Sequence, residues 1–380
     1  MNLVVDENIA FAEEAFLQFG DIMLLSGRQI TNDILHNADA LIVRSITNVD
    51  ENLLQNINIK FVGTATIGTD HVDTNYLNKN NIAFADAKGC NANSVAEYIF
   101  TALLKTTFDN NLTLKNRSIG IIGVGNIGSR VEKYAEALGL KVYKNDPPKQ
   151  RAGEGSNYVS LEEALQADII TLQVPLNKSG IDKTFHLLDE EQLNKINTGS
   201  ILINTSRGAV VDNKSLLNII DKKHFKVILD VWEGEPLINI DLLQKVLISS
   251  AHVAGYSLEG KVNGTKMIYD ALCRFTKKLS DWEAKMPTVE NNFIDVSSVK
   301  ELEEKLHYIF RQIYKIEKDD SEMRKMIEME NDTRAAYFDK LRKEYPLRRE
   351  FTNYSILIEE TDKQLKGILE AFRFNVRFKD

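Results

Sequence analysis

Residues 118–131 read Ser-Ile-Gly-Ile-Ile-Gly-Val-Gly-Asn-Ile-Gly-Ser-Arg-Val. The run Ile119–Ile122 has the make-up of a buried strand, and Ile127–Leu138 has the apolar spacing of a helix. Between them Gly123, Gly125 and Gly128 form G-x-G-x-x-G. Three spaced glycines alone say little; a strand before them, a helix after them and a partner acid make the pattern specific. Gly123 permits a tight turn, Gly125 lets the backbone approach a pyrophosphate, and Gly128 allows the helix to pack closely on the strand. The helix start adds free N–H groups and a partial positive charge for the phosphates. Asp146 ends the next strand-like run, Lys141–Asn145, about twenty residues on, where a carboxylate binds the ribose hydroxyls. An acid there repels a 2′-phosphate, so the expected cofactor is NAD rather than NADP.

Outward from this stretch, short apolar runs fall into two series. Asn2–Val5, Leu41–Arg44, Phe61–Gly63 and Ile82–Ala85 form the first. Ile119–Val124, Lys141–Asn145, Ile169–Val174, Ile201–Thr205 and Val227–Val231 form the second. Helical spacing fills the gaps, which is the signature of βαβ units and parallel sheets. Residues 91–107, NANSVAEYIFTALLKTT, read as a long helix between the series, with Ser94 as its N-cap and Glu97 as capping-box partner. The last hundred residues differ: 41 are charged, against 61 of the first 280, and Gly367 is their one glycine. That change falls near Trp282–Pro287 and marks a boundary. Beyond it Val299–Ile316 is helical in spacing, while Phe351–Ile358 and Phe372–Phe378 alternate as strands do. The expected fold is α/β, with two Rossmann-like parallel-sheet domains and a small C-terminal α+β domain. The expected limits are 1–93 with about 257–280, then 94–256, then 281–380.

Composition restricts the function. The 380 residues carry a net charge of −8 and are 43% hydrophobic, an ordinary globular balance. A chain this acidic lacks the basic face that nucleic acids or anionic membranes require. No run approaches the ~20 apolar residues of a membrane span, and the start Met1-Asn-Leu-Val-Val-Asp-Glu lacks a secretory signal. Two cysteines, Cys90 and Cys273, fit a reducing cytoplasm and packing roles.

Three further segments place polar residues at strand ends. Arg207 follows Ile201–Thr205, Asp230 ends Val227–Val231 with Glu235 just beyond it, and His252 and Tyr256 lie in a later loop. In parallel sheets ligands sit outside the carboxyl ends of strands, so these groups converge on the nicotinamide end. Hydride transfer from a 2-hydroxy acid needs a base, a cation for the carboxylate, and a group that tunes the base. His252 suits the first task, because an imidazole exchanges protons near neutrality. Arg207 offers a bidentate fork for a carboxylate. Glu235, hydrogen-bonded to His252, would favour the imidazolium and fix its tautomer.

These segments resemble the D-2-hydroxyacid dehydrogenase family: GVGNIG at 123–128, INTSRGAVVD at 203–212, DVWEGEP at 230–236, and the histidine before Ala254-Gly255. VRSITNV (43–49), VGTATIGTDHVD (62–73), NDPP (145–148), AHVAGYSLEGKVNGT (251–265) and FDKLRKEYPLRREF (338–351) narrow the match to a branch that oxidises a phosphorylated hydroxy acid. The resemblance implies that Arg207 and Glu235 are catalytic and that His252 donates and accepts the proton. It implies cofactor contacts at Asn126, Ile127, Asp146, Val174, Asp230 and Gly255, and substrate contacts at Ser45, Thr66 and Tyr256. It further implies that the first lobe binds substrate and that the tail makes a homodimer. One departure is Gln173-Val174, where the family often has a small hydroxyl residue. Another is the presence of Lys149 and Arg151 beside Asp146.

Two alternatives remain in the sequence. One is a dehydrogenase of another phosphorylated acid such as 3-phosphoglycerate; the other is a non-catalytic, NAD-sensing corepressor-like protein. Arg44 and the pair Arg348/Arg349 are candidates to grip a phosphate, the pair reading more readily as a solvated or dimer-interface salt bridge. His71 reads as structural, and His36, His186, His224 and His307 lack a constellation. No cluster has metal-ligand spacing, so no metal is expected.

Overall fold

Apolar runs of only four or five residues bury both faces of a strand when the strand lies in a parallel sheet covered by helices on each side. The structure, a computed structural model that describes residues 1–379, is built on two such sheets and a smaller third. Packing divides the chain into two units, residues 1–91 with 256–288, and residues 92–255 with the chain from 289 on.

The first unit holds five parallel strands, β1 (Asn2–Asp6), β2 (Asp21–Leu25), β3 (Ala40–Val43), β4 (Phe61–Thr64) and β5 (Ala83–Asp86), in the order β2-β1-β3-β4-β5. Alternation sends Leu3, Val5 and Ile42 to one face and Val4, Leu41 and Val43 to the other. On the first face the helix Leu258–Thr276 contributes Ile268, Tyr269 and Leu272. A Cβ on Gly63 would come within 2.5 Å of Ile268 Cγ2, so a side chain there would push this helix off the sheet. β2 escapes a pattern search because it is an edge strand with Met23 and Leu24 exposed.

The second unit holds β6 (Ser118–Ile122), β7 (Lys141–Asn145), β8 (Ile169–Leu172), β9 (Ile201–Asn204), β10 (Lys226–Leu229) and β11 (Ile248–Ser249), all parallel. Their order is β11-β10-β9-β8-β6-β7. Again alternate residues feed two cores, with Ile119, Ile201 and Ile203 on one side and Ile122, Leu202 and Leu229 on the other. β11 has two residues, too few to show periodicity.

The helix expected over 91–107 is Ala92–Asp109, and 14 of its 18 residues are buried. The capping box does not form. Ser94 lies inside the helix and donates to Glu350 Oε1 at 2.7 Å, while Glu97 accepts the amide of Phe351 at 3.1 Å. Both side chains face the tail, and burial together with nearby Glu350 drives the Glu97 carboxyl well above its ordinary range.

The tail carries a third parallel sheet, β12 (Phe293–Asp295), β13 (Ser355–Ile358) and β14 (Asn375–Phe378). Phe351 and Phe372, expected in strands, lie instead in a short 3₁₀ turn and at the end of the helix Lys363–Ala371. Its apolar face is covered within the chain. Ile294, Phe310, Ile356 and Phe372 join one core with Phe100 and Tyr134, and Met323, Met326 and Phe338 join the opposite core with Trp232 and Leu242. Among the described residues no helix is long and apolar enough to cross a membrane.

Phe372 is the keystone of the first contact: its ring stacks on Tyr134 at 4.2 Å and meets Phe100 edge-on at 5.2 Å. Phe372→Ala is expected to cost about 3–5 kcal/mol. Because the core is shared, urea should melt the tail and the six-stranded sheet in one transition. An early transition confined to the tail would show that it folds as a body of its own.

Candidate active site

In a parallel sheet every strand delivers its carboxyl end to the same edge. From β11 to β7 that edge presents His252, then Asp230 and Glu235, then Arg207, then Val174, then Gly123–Gly128, then Asp146. The chain reverses its winding at β6, which lies between β7 and β8, so the switch point is at the glycine turn.

The glycines differ in their reasons. Gly123 has φ +91°, and a Cβ there would come within 2.6 Å of the Gln173 carbonyl oxygen. A Cβ on Gly128 would lie 2.0 Å from the Gly123 carbonyl oxygen, where the helix Gly128–Ala137 starts. A Cβ on Gly125 would meet nothing within 4 Å. That open cradle, at a helix start whose first amides have no partner within the helix, fits a pyrophosphate. Asn126 and Ile127 complete the turn. Asp146 is 9% exposed; its Oδ2 accepts the Val124 amide at 2.8 Å and its Oδ1 the Lys149 amide at 3.1 Å. Each oxygen retains a lone pair. The two cations beside it are committed, Lys149 Nζ to the Val124 carbonyl at 2.9 Å and Arg151 to Asp182 at 2.5 Å. Gln173 is held by Thr171 and Thr205, at 2.9 and 3.0 Å from its Nε2.

On the other half of the edge, Asn204 shapes the turn after β9, donating to the Arg207 carbonyl at 3.0 Å and accepting the Ser206 amide at 3.0 Å. A Cβ on Gly208 would fall 1.9 Å from the Trp232 carbonyl carbon, so glycine is what lets this loop and the loop after β10 touch. Glu235 accepts the Trp232 amide through Oε1 at 2.7 Å and bonds His252 Nδ1 through Oε2 at 2.8 Å. His252 Nε2 lies outside this contact. Burial would raise the Glu235 carboxyl, but the His252 charge and hydrogen bond, the Trp232 amide and Arg342 hold it below its ordinary range. It is therefore ionised at neutral pH. His252 has φ +57°, its amide donating to the Asp230 carbonyl at 2.7 Å. Asp230 is buried and its carboxylate bonds Ser250, Val253 and Ala254, while burial pushes its proton affinity up against the pull of His252.

Not every expected partner behaves as the sequence suggests. His186 does have a constellation: Nε2 lies 2.7 Å from Glu233 Oε1, and Asp212 completes a trio of ligand atoms within 4.8 Å of one another. Asp212 also caps the helix Asn213–Lys223. The three residues come from distant segments, so spacing could not reveal them. Arg348 is buried, and its Nη2 donates to the carbonyls of Ala254 and Ser94, while its Nη1 has no hydrogen-bond partner. Ser250, which links Asp230 to Tyr98 Oη at 2.7 Å, had no signal in the sequence.

In the first unit Ser45 and Thr66 follow the adjacent strands β3 and β4. Thr66 bonds the Thr64 hydroxyl at 2.7 Å, and His71 Nε2 lies 3.0 Å from the same hydroxyl. Arg44 pairs with buried Asp6 at 3.1 Å, and Tyr256 lies 5.1 Å beneath Lys261 Nζ.

Residues 98–254 match the family described as D-isomer specific 2-hydroxyacid dehydrogenase, NAD binding domain. Residues 286–370 match a domain of unknown function, DUF3410. The chain is 41% identical to erythronate-4-phosphate dehydrogenase of Proteus mirabilis over 382 residues, covering all of both chains. It is 40% identical to the enzyme of that name from Yersinia enterocolitica, over 99% of this chain and 100% of that one. Among solved structures, D-lactate dehydrogenase from Aquifex aeolicus, complexed with NAD and lactic acid, aligns with a TM-score of 0.61 and 26% identity. That alignment covers 73% of this chain and 96% of the other. NAD is accordingly the cofactor.

Asp146→Ala should weaken NAD binding and improve the relative affinity for NADP, by removing the charge that repels a 2′-phosphate. Asp146→Asn, which keeps an acceptor for Val124, separates loss of charge from loss of the loop contact. Dissociation constants for both cofactors decide the matter; an unmoved ratio would place ribose recognition elsewhere.

Proposed function

Since the chain belongs to the erythronate-4-phosphate dehydrogenases, a branch of the D-isomer specific 2-hydroxyacid dehydrogenases, we propose that it oxidises 4-phospho-D-erythronate at C2. The product is (R)-3-hydroxy-2-oxo-4-phosphooxybutanoate, a step in the biosynthesis of pyridoxal 5′-phosphate. The observation that carries this reading is the 2.8 Å contact of His252 Nδ1 with Glu235, at the carboxyl edge of a dinucleotide-binding sheet.

Gly123, Gly125, Asn126, Ile127 and Gly128 would hold the pyrophosphate of NAD and Asp146 its ribose, with Val174, Asp230 and Gly255 completing the set. When bound, NAD supplies the hydride acceptor. Arg207 grips the substrate carboxylate and steadies the oxygen that becomes a carbonyl. His252 Nε2 takes the proton of the C2 hydroxyl. Glu235, ionised and tied to Nδ1, stabilises the imidazolium that results and keeps the ring oriented. Ser45, Thr66 and Tyr256 are the proposed substrate contacts. We read the protein as a cytoplasmic homodimer that pairs through its tail. Support for pairing comes from Phe293 and Phe378, large apolar residues exposed on the tail sheet. Support for the compartment comes from the two buried free thiols.

His252→Gln should leave NADH binding, followed by fluorescence, nearly intact and lower turnover roughly 10²–10⁴-fold. Arg207→Lys should also be harmful, because an ammonium lacks the planar fork. NADH absorbance with 4-phosphoerythronate and with 3-phosphoglycerate tests the substrate. A higher kcat/KM on 3-phosphoglycerate, or near-normal turnover by His252→Gln, would overturn the reading.

A further inference from the structure

His252 lies in the loop 250–254, and a loop is held where its backbone groups bond. On one side Asp230 accepts the amides of Val253 and Ala254, at 2.7 and 3.1 Å. On the other side the tail reaches in. Arg348, 7% exposed, donates through Nη2 to the Ala254 carbonyl at 2.5 Å and to the Ser94 carbonyl at 3.1 Å. Its guanidinium lies 4.6 Å over the Tyr314 ring, which fixes its plane. Just before the loop, Asp320 accepts the amide and hydroxyl of Ser249 at 2.8 and 2.7 Å. Arg324 pairs with Asp320 at 2.8 Å and donates to the Val246 carbonyl at 2.8 Å. Arg342, on the helix Asn331–Lys343, acts on the charge of Glu235. Anion and cation thus hold successive peptide units of the loop, Asp230 through the amides of Val253 and Ala254 and Arg348 through the carbonyl that follows at Ala254.

We infer that Arg348 is a positioning residue for His252. By tying the Ala254 carbonyl to the helix at Ser94, the tail holds the imidazole in line with Glu235. This rests on the reading that His252 exchanges the substrate proton. A positioned loop matters because misplacing a reacting group by about 1 Å can cost on the order of 10²-fold in rate. Charged and titratable groups around the contact are Glu97, Asp319, Tyr314 and Tyr345 facing Arg348, and Asp230 and Glu235 facing His252. Burial pushes Asp319 up to about 6, against the hydroxyls of Tyr314 and Tyr345, so its titration must be separated from that of His252.

The test uses the full chain with Arg348→Met and Arg348→Lys, and Asp319→Asn as the control for that titration. NMR of the imidazole nitrogens, with His252 assigned among six histidines by its loss in His252→Gln, reports proton affinity without any substrate. In Arg348→Met the His252 midpoint should fall, because a loosened loop weakens the Glu235 contact that favours the imidazolium. The acid limb of kcat/KM should move to lower pH with it. Turnover should drop roughly 10–100-fold with KM and NADH affinity nearly unchanged. Arg348→Lys, which keeps the charge but not the fork, should fall between. A variant that merely melts earlier, with the His252 titration and the turnover per folded molecule as in the parent, would overturn the inference. If Arg348→Met does not fold, Arg348→Lys and Asp320→Asn are read by the same titration. A parent protein that fails to oxidise 4-phosphoerythronate would sink the functional reading and leave the NMR test of positioning intact.

Discussion

A carboxylate with 1% of its surface exposed, as Asp230 has, must be surrounded by donors, since an unpaired buried charge costs several kcal/mol. Its donors are the Ser250 hydroxyl and the amides of Val253 and Ala254, all contributed by the chain after β11. For β10 to be followed at once by a buried aspartate, that chain has to fold back over the strand end. The fold-back carries His252 through a left-handed conformation, one that histidine tolerates better than most residues. It also brings the ring within reach of Glu235, which leaves the same strand five residues later. One desolvated charge therefore decides where the proposed base stands.

The neighbouring loops are knitted by close approach rather than by charge. Gly208 lies against the backbone of Trp232, and Gly123 against that of Gln173. Each contact joins loops from adjacent strands at a distance no side chain permits. Lys149, bonded to the Val124 carbonyl, and Asp146, bonded to the Val124 amide, grip the glycine turn at a single residue from both sides. The edge is thus rigid where phosphates would lie, and its polar side chains are oriented before any ligand arrives, which lowers the cost of binding.

What the sequence discloses follows from what periodicity can encode. β8 and β9 are legible because every residue in them is buried, so a short isoleucine-rich run marks them. The glycine turn, Arg207, Glu235 and His252 are legible because each sits at a fixed offset from such a run. β2 and β11 are hidden, one by exposure at an edge and the other by its length of two residues. Ser94 and Glu97 have the spacing of a capping box, yet local spacing carries no record of the tail that draws both side chains inward. The His186–Asp212–Glu233 trio and the Arg348 contact are invisible for the same reason. They depend on which distant segments the fold brings together, and no short-range pattern records that.

The charge density of the tail, which the sequence presents as a boundary, has a structural use in the contact with β11. An edge strand leaves backbone groups unpaired and invites another chain to dock there. Here Arg324 donates to carbonyls at Val246 and Leu247, and Asp320 accepts the amide of Ser249, so tail side chains occupy groups along the exposed margin. Apolar residues of the same segment, Met323 and Met326, fill the core beneath. A segment with few apolar residues can thus be firmly held, because its ionic groups bond to backbone while a small apolar minority packs. The edge that is covered this way is also the one from which the chain enters the His252 loop, so protection of the sheet margin and placement of the imidazole fall to one segment.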